Sequence, residues 1–73
     1  AGDLTGGLDA TRDMLRIAPD QASLWREAGT LHQRLDQVAA ALRCFERFLT
    51  LVPTGDAAIR LRREIADLRA RLH

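Results

Sequence analysis

The sequence predicts an all-α protein of about four helices. Alanine, leucine and arginine dominate its 73 residues while aromatic residues account for only 4%, and this composition favours helices over strands. Apolar residues recur at three- and four-residue spacing between Pro19 and the turn-forming residues 53–56 and on either side of them, as amphipathic helices require. A chain this short forms one small domain whose helices bury their apolar faces against each other.

The first two helices are predicted over about residues 3–17 and 21–34. Asp20 precedes the second helix, and we expect it to cap the free N–H groups there. Gly29 lies inside that helix at a cost of roughly 1 kcal/mol relative to alanine, so another part of the chain should approach it closely. The apolar stripes consist of Leu4, Leu8, Thr11 and Leu15 in the first helix and Leu24, Ala28, Leu31 and Leu35 in the second.

The third and fourth helices are predicted over about residues 37–51 and from about residue 56 onward. Thr54 or Asp56 is expected to cap the fourth helix. Arginine and acidic residues fill most of the fourth helix outside its single apolar stripe, which indicates one buried and one solvated side. The apolar rows are Val38, Leu42, Phe45 and Leu49 in the third helix and Ala58, Leu61, Ile65, Leu68 and Leu72 in the fourth.

A shift of 34 residues superimposes parts of the chain on one another. It places Leu8 on Leu42 and Pro19 on Pro53, so the first and third helices are equivalent. The fourth helix then corresponds to the second, although Arg63 falls on Gly29.

Residues 25–53 resemble the tetratricopeptide repeat, whose signature is W-x2-L-G-x2-Y, then A-x3-F, then P. The matching residues are Trp25, Gly29, Ala41, Phe45 and Pro53. The resemblance implies antiparallel helix pairs of a superhelical repeat. It divides a single domain, residues 1–73, into the second helix of a preceding repeat (3–19), one complete repeat (22–55) and a C-terminal capping helix (56–73). It also implies that Gly29 and Ala41 face each other where two helices come closest.

Three residues depart from the pattern of that repeat. Ala28 replaces a leucine, His32 replaces a tyrosine, and Asp36 occupies a turn position that is usually glycine. The chain also resembles the C-terminal helical tail of certain bacterial proteins in which a transglutaminase-like domain precedes such repeats. That second resemblance, together with the absence of an initiator methionine, implies a segment of a longer protein whose catalytic chemistry lies upstream.

No catalytic, cofactor or metal site is predicted from the residue types. Cys44 is the one cysteine, it lies within a helix, and we interpret it as a buried structural residue rather than a nucleophile. One cysteine and two distant histidines do not provide the four closely paired ligands of a zinc site. His32 takes an aromatic core position and is interpreted as a packed neutral imidazole.

The charge and hydropathy patterns narrow the classes of partner. The formal net charge is +1, and the arginines of the fourth helix are diluted by acidic residues, which argues against nucleic acid. No apolar run approaches the ~18 residues of a membrane span. A lone cysteine and no signal peptide favour a reducing, cytoplasmic location.

We therefore predict a non-enzymatic module that binds a protein or peptide or serves as a scaffold. The inner surface of stacked helix pairs is lined by the first helix of each pair. Two alternatives stay open: an accessory tail of an upstream enzyme domain, and a homodimer through an uncovered apolar face of the first helix, formed by Leu4, Leu8, Thr11 and Leu15. The candidate partner-binding residues are Ser23, Arg26, Thr30, Gln33 and Arg34.

Overall fold

The computed structural model describes residues 4–72, and these form four helices joined by short turns. The helices are α1 (Leu4–Ile17), α2 (Ala22–Arg34), α3 (Val38–Leu51) and α4 (Asp56–Arg71). Each helix packs against the next one along the chain, as short connections between antiparallel neighbours require. The predicted all-α architecture is confirmed, and the predicted helix starts and ends agree with the observed ones to within one residue wherever both were specified. His73 lies outside the described residues.

α1 packs its apolar stripe against α2. Leu8 and Leu15 are buried in a cluster with Ala28 of α2 and Cys44 of α3, and Thr11 is buried while its hydroxyl donates to the carbonyl of Gly7. The expectation of an uncovered face on α1 is therefore wrong for these residues, because α2 itself covers them. The side chain of Leu4, which belongs to the same predicted stripe, lies outside what the structure describes. The α2 side chains packed on this cluster are Leu24, Trp25, Leu31 and Leu35.

α2 and α3 approach each other at Gly29. A Cβ atom placed on Gly29 would lie 2.5 Å from Cε1 and 2.6 Å from Cδ1 of Phe45, distances that only a missing side chain permits. The predicted close approach is thus confirmed, and the three atoms nearest to such a Cβ all belong to the ring of Phe45. That Ala41 also faces Gly29 stays a prediction. Side chains of a helix lean toward its N-terminus, so Phe45, one turn after Ala41, reaches back to this level.

α3 and α4 pack through larger side chains. Phe48 stands where the tetratricopeptide pattern has a small residue, and it is buried in one cluster with Leu61, Ile65 and Leu68 of α4. Ala58 is fully buried as well. On the outer side of this interface, the guanidinium of Arg69 donates to the carboxylate of Glu46 at 2.6 Å.

The turn between α2 and α3 is a Schellman motif. The N–H of Gln37 donates to the carbonyl of His32 at 2.8 Å, and the N–H of Asp36 donates to the carbonyl of Gln33 at 3.0 Å, which is the hydrogen-bond pattern of this helix end. Asp36 has a φ of 61°, the left-handed region that glycine occupies most easily. The left-handed conformation at this turn position therefore explains why the repeat usually carries glycine there.

The predicted helix caps are wrong. α2 begins after Gln21, so Asp20 lies one residue before the N-cap position, and no side-chain hydrogen bond caps the helix. α4 begins after Gly55, again without a side-chain cap from Thr54 or Asp56. Gly55 reverses the chain at a φ of 102°, and Asp56 instead becomes the first helical residue, where its charge complements the helix dipole.

Candidate functional site

One face of α2 forms a groove that contains most of the candidate partner-binding residues. Positions 23, 26, 27, 30, 31 and 34 recur at three- and four-residue spacing and so share one side of the helix. The cavity along them has a volume of about 430 Å³, and we call it the α2 groove. Its lining consists of Ser23, Arg26, Glu27, Thr30, Leu31 and Arg34 of α2 together with Phe48 of α3.

The α2 groove brings together four of the five predicted residues. Ser23, Arg26 and Arg34 are exposed and Thr30 is half-buried, with the Thr30 hydroxyl donating to the carbonyl of Arg26 at 3.1 Å. Gln33 is not among the lining residues.

The charged groups of the α2 groove are available to a partner. In the part of the chain that the structure describes, the guanidinium groups of Arg26 and Arg34 make no ion pair and no hydrogen bond. Glu27 is exposed beside them, also without an ion pair among these residues. The groove therefore offers two cationic groups and one carboxylate around the apolar surface of Leu31 and Phe48.

A second and larger groove runs between α1 and α3, and residues of α2 also contribute to its lining. Its volume is about 860 Å³, and we call it the α1–α3 groove. Sequence reasoning missed it, because its walls come from helices that are about thirty residues apart in the chain and meet only in the folded structure. It is lined by Asp9, Arg12, Asp13, Leu15, Arg16, Pro19, Trp25, Ala28, His32, Ala40, Arg43 and Cys44.

His32 is buried in the wall of the α1–α3 groove, as its position in the repeat implied. The residue is only 4% exposed, and its Nδ1 donates to the side-chain oxygen of Gln37 at 2.7 Å. Nε2 has no partner among residues 4–72. No buried side-chain polar atom of these residues is both unpartnered and sealed from solvent, so Nε2 retains some contact with solvent.

Cys44 lies on the floor of the same groove and is 8% exposed. Burial raises the pKa of its thiol above the ordinary value, while the nearby charges of Arg12 and Arg43 act in the opposite direction to a smaller extent. The thiol is therefore protonated at neutral pH, which makes it a poor nucleophile.

Trp25 contributes both to the apolar core and to the lining of the α1–α3 groove. The indole N–H donates to the carbonyl of Pro19 at 2.7 Å and thereby fixes the turn between α1 and α2. The guanidinium of Arg47 lies 5.8 Å from the centroid of the indole, within the range of a cation–π contact. The ring is partly buried between the two apolar clusters and also lines the α1–α3 groove.

Two further findings concern the described residues as a whole. Within 4–72, no three histidine, cysteine, aspartate or glutamate side chains are grouped so that they could hold a metal ion. In the same range, no helix combines the length and the apolar character that crossing a membrane demands.

Comparison with known proteins places the chain in a family. The family model of the tetratricopeptide repeat matches residues 2–72. Neither the curated proteins nor the solved structures contain a match to the chain. The family match agrees with the four-helix architecture, the short turns and the close approach at Gly29. Since it covers nearly the entire chain, the protein belongs to the tetratricopeptide repeat family.

Proposed function

We propose that the chain is a non-enzymatic interaction module that binds an acidic segment of a partner protein in the α2 groove. Repeats of this family generally bind proteins or peptides, and the concave surfaces of such stacked helices are their usual binding faces. The observation that carries the proposal is the pair of exposed and unpaired guanidinium groups, Arg26 and Arg34, on either side of an apolar patch.

The spacing of the two arginines defines the expected ligand. Arg26 and Arg34 are eight residues apart in α2, which separates their backbones by about 12 Å along the helix axis. An extended peptide rises about 3.3 Å per residue, so two acidic residues about four positions apart fit this separation. An aliphatic side chain between them would lie over Leu31 and Phe48, and Glu27 would accept a hydrogen bond from the peptide.

The state of Cys44 supports a proposal for the location of the protein in the cell. A buried, protonated and unpaired Cys44 is suited to a reducing compartment such as the cytoplasm. Because α2 covers the described part of the α1 stripe, that stripe gives no support to a homodimer as the main function.

Selection from a random peptide library displayed on phage tests the proposal. With the wild-type chain immobilised, we expect enrichment of peptides with two acidic residues about four positions apart. The R26Q/R34Q variant should lose this enrichment. The matched control R60Q/R71Q removes the same charge from exposed positions of α4 outside both grooves and should retain it. Equal enrichment by R26Q/R34Q and wild type, or no enrichment at all, would contradict the proposal.

A further inference from the structure

The α1–α3 groove is separate from the surface to which the proposed function is assigned. The two grooves share no lining residue. The α1–α3 groove has about twice the volume, and all of α1, α2 and α3 contribute to it. An occupant of one groove therefore leaves the other open.

The floor of the α1–α3 groove is apolar. Leu15, Ala28 and Cys44 form it together with the partly buried ring of Trp25. Its volume of about 860 Å³ falls in the range of sites that enclose a ligand of several apolar groups. This floor favours a bulky aliphatic group in the bound molecule.

The walls of the groove carry cationic groups without partners. Arg12 of α1 and Arg43 of α3 line it from opposite sides, and neither takes part in an ion pair or side-chain hydrogen bond with any of residues 4–72. The groove is also lined by two carboxylates, Asp9 and Asp13, which both belong to α1. Asp13 is paired with Arg16. The charges that act on the thiol of Cys44 are those of Arg12 and Arg43, so the floor lies in a positive environment.

His32 adds a polar side chain to the lining of this groove. The residue is more than nine-tenths buried, and its Nδ1 is held by Gln37. His32 lines the groove, and its Nε2 has no partner among residues 4–72, so this nitrogen is available for a hydrogen bond with the backbone or a polar side chain of a ligand.

From these contacts we propose that the α1–α3 groove is a second docking surface, which takes a peptide segment of a partner protein in which a carboxylate residue adjoins a bulky aliphatic residue. The carboxylate would lie between Arg12 and Arg43, whose guanidinium groups would donate charge-assisted hydrogen bonds to it. The aliphatic side chain would pack on Trp25 and Leu15. This inference goes beyond the proposed function, because it concerns a different surface.

A second copy of the chain is a poorer occupant. The exposed large apolar residues of the described chain are Met14, Ile17, Ile59 and Leu72. Ile17, Ile59 and Leu72 each have an arginine as a sequence neighbour, which would bring cations toward Arg12 and Arg43. Met14 follows Asp13, whose carboxylate is already paired with Arg16.

The single tryptophan makes the occupancy of this groove measurable. Trp25 is the chain's one tryptophan, and it lines the α1–α3 groove but not the α2 groove. The probe is the acetylated and amidated tetrapeptide Glu-Leu-Leu-Glu, with Gln-Leu-Leu-Gln as its uncharged counterpart. We expect a saturable change in tryptophan fluorescence with the first peptide and at least ~10-fold weaker binding of the second, since the loss of charge-assisted hydrogen bonds is costly.

Three double variants locate the binding site. R12Q/R43Q should weaken the fluorescence response to Glu-Leu-Leu-Glu by at least ~10-fold, whereas R60Q/R71Q, with the same change of net charge, should leave it nearly unchanged. R26Q/R34Q should also preserve the response, because it alters only the α2 groove. Helix content by circular dichroism checks that each variant is folded.

Several outcomes would overturn the inference. Equal weakening by R12Q/R43Q and R60Q/R71Q would show a diffuse effect of net charge, and equal binding of the two peptides would remove the role of the carboxylate. A response lost only in R26Q/R34Q would assign the peptide to the α2 groove and leave the proposed function standing. Absence of a saturable response would also overturn it. A peptide-free sedimentation coefficient that rises with protein concentration and falls in R12Q/R43Q would show that a second copy fills the groove.

Discussion

α3 packs against α2 on one side and against α4 on the other, and the two interfaces bring the helices together in different ways. At the first, the ring of Phe45 lies directly on the backbone of Gly29, where no Cβ fits. At the second, Phe48 of α3 packs among the branched side chains Leu61 and Ile65 of α4. One interface rests on a missing side chain and the other on large ones.

This difference determines what each interface tolerates. A ring against a helix backbone has no soft neighbour that can yield, so an added atom displaces the ring or the helix. Interlocking aliphatic side chains have alternative rotamers, and cores of this kind accept substitutions that keep the volume. We therefore expect the α2–α3 interface to be the more sensitive of the two.

The largest effect is expected from Phe45→Ala. Phe45 is 1% exposed, and its removal should lower the free energy of unfolding by about 3 to 5 kcal/mol, a large part of the stability of so small a domain. Leu68→Ala, at an equally buried position one turn before the end of α4, should cost less, about 2 to 3 kcal/mol, because the helix end can relax around it. Urea denaturation measures both, and a greater cost for Leu68→Ala would reverse the proposed order.

Smaller effects, of opposite sign, are expected when two helical glycines are replaced by alanine: one variant should lose stability and the other should gain it. Gly29→Ala should destabilise by about 1 to 3 kcal/mol, because its Cβ would overlap the ring of Phe45. Gly7→Ala is the matched control in α1, where the new Cβ would lie at an ordinary 3.7 Å from Leu31. It should stabilise by up to about 1 kcal/mol through helix propensity. If the urea midpoints of both variants moved in the same direction, the close approach at Gly29 would not be the cause.

The smallest effect is expected from Arg69→Gln, at the ion pair across the α3–α4 interface. The Arg69 and Glu46 side chains are 60% and 50% exposed, and exposed pairs contribute little because water and salt screen them. The free energy of unfolding should fall by no more than ~0.5 kcal/mol, and this difference should vanish at high salt. A larger and salt-independent loss would show that the pair organises this interface.

The sequence was sufficient for the helices, because periodicity is a local property. The spacing of apolar residues gave each helix, and Gly29 marked a close approach. The residue that fills the space was not predictable in the same way, since it depends on how far the ring of Phe45 reaches back along α3. The cap at Asp20 was wrong because α2 begins one residue later than a cap at Asp20 requires, with Gln21 at the N-cap position.

The surfaces were predictable only in part. The α2 groove follows from one helix, and its candidate residues could be read from their spacing along α2, although their role in binding stays a prediction. The α1–α3 groove depends on the fold bringing Arg12 and Arg43 to the same groove, and no local sequence pattern predicts this. The apolar stripe of α1 was expected to be uncovered because the sequence does not specify which neighbour covers a stripe, and the structure shows that α2 covers its described residues.

The two hydrogen bonds between His32 and Gln37 have a consequence for how this repeat can vary. Gln37 donates its backbone N–H to the carbonyl of His32, and its side chain accepts from the ring. The side chain at a core position is thus hydrogen-bonded to the side chain at a turn position. Replacing His32 by an apolar aromatic residue would leave the side-chain oxygen of Gln37 without this partner, although the backbone hydrogen bond would remain. The two positions form one unit of variation, and changes at them should be non-additive and tolerated best as a pair.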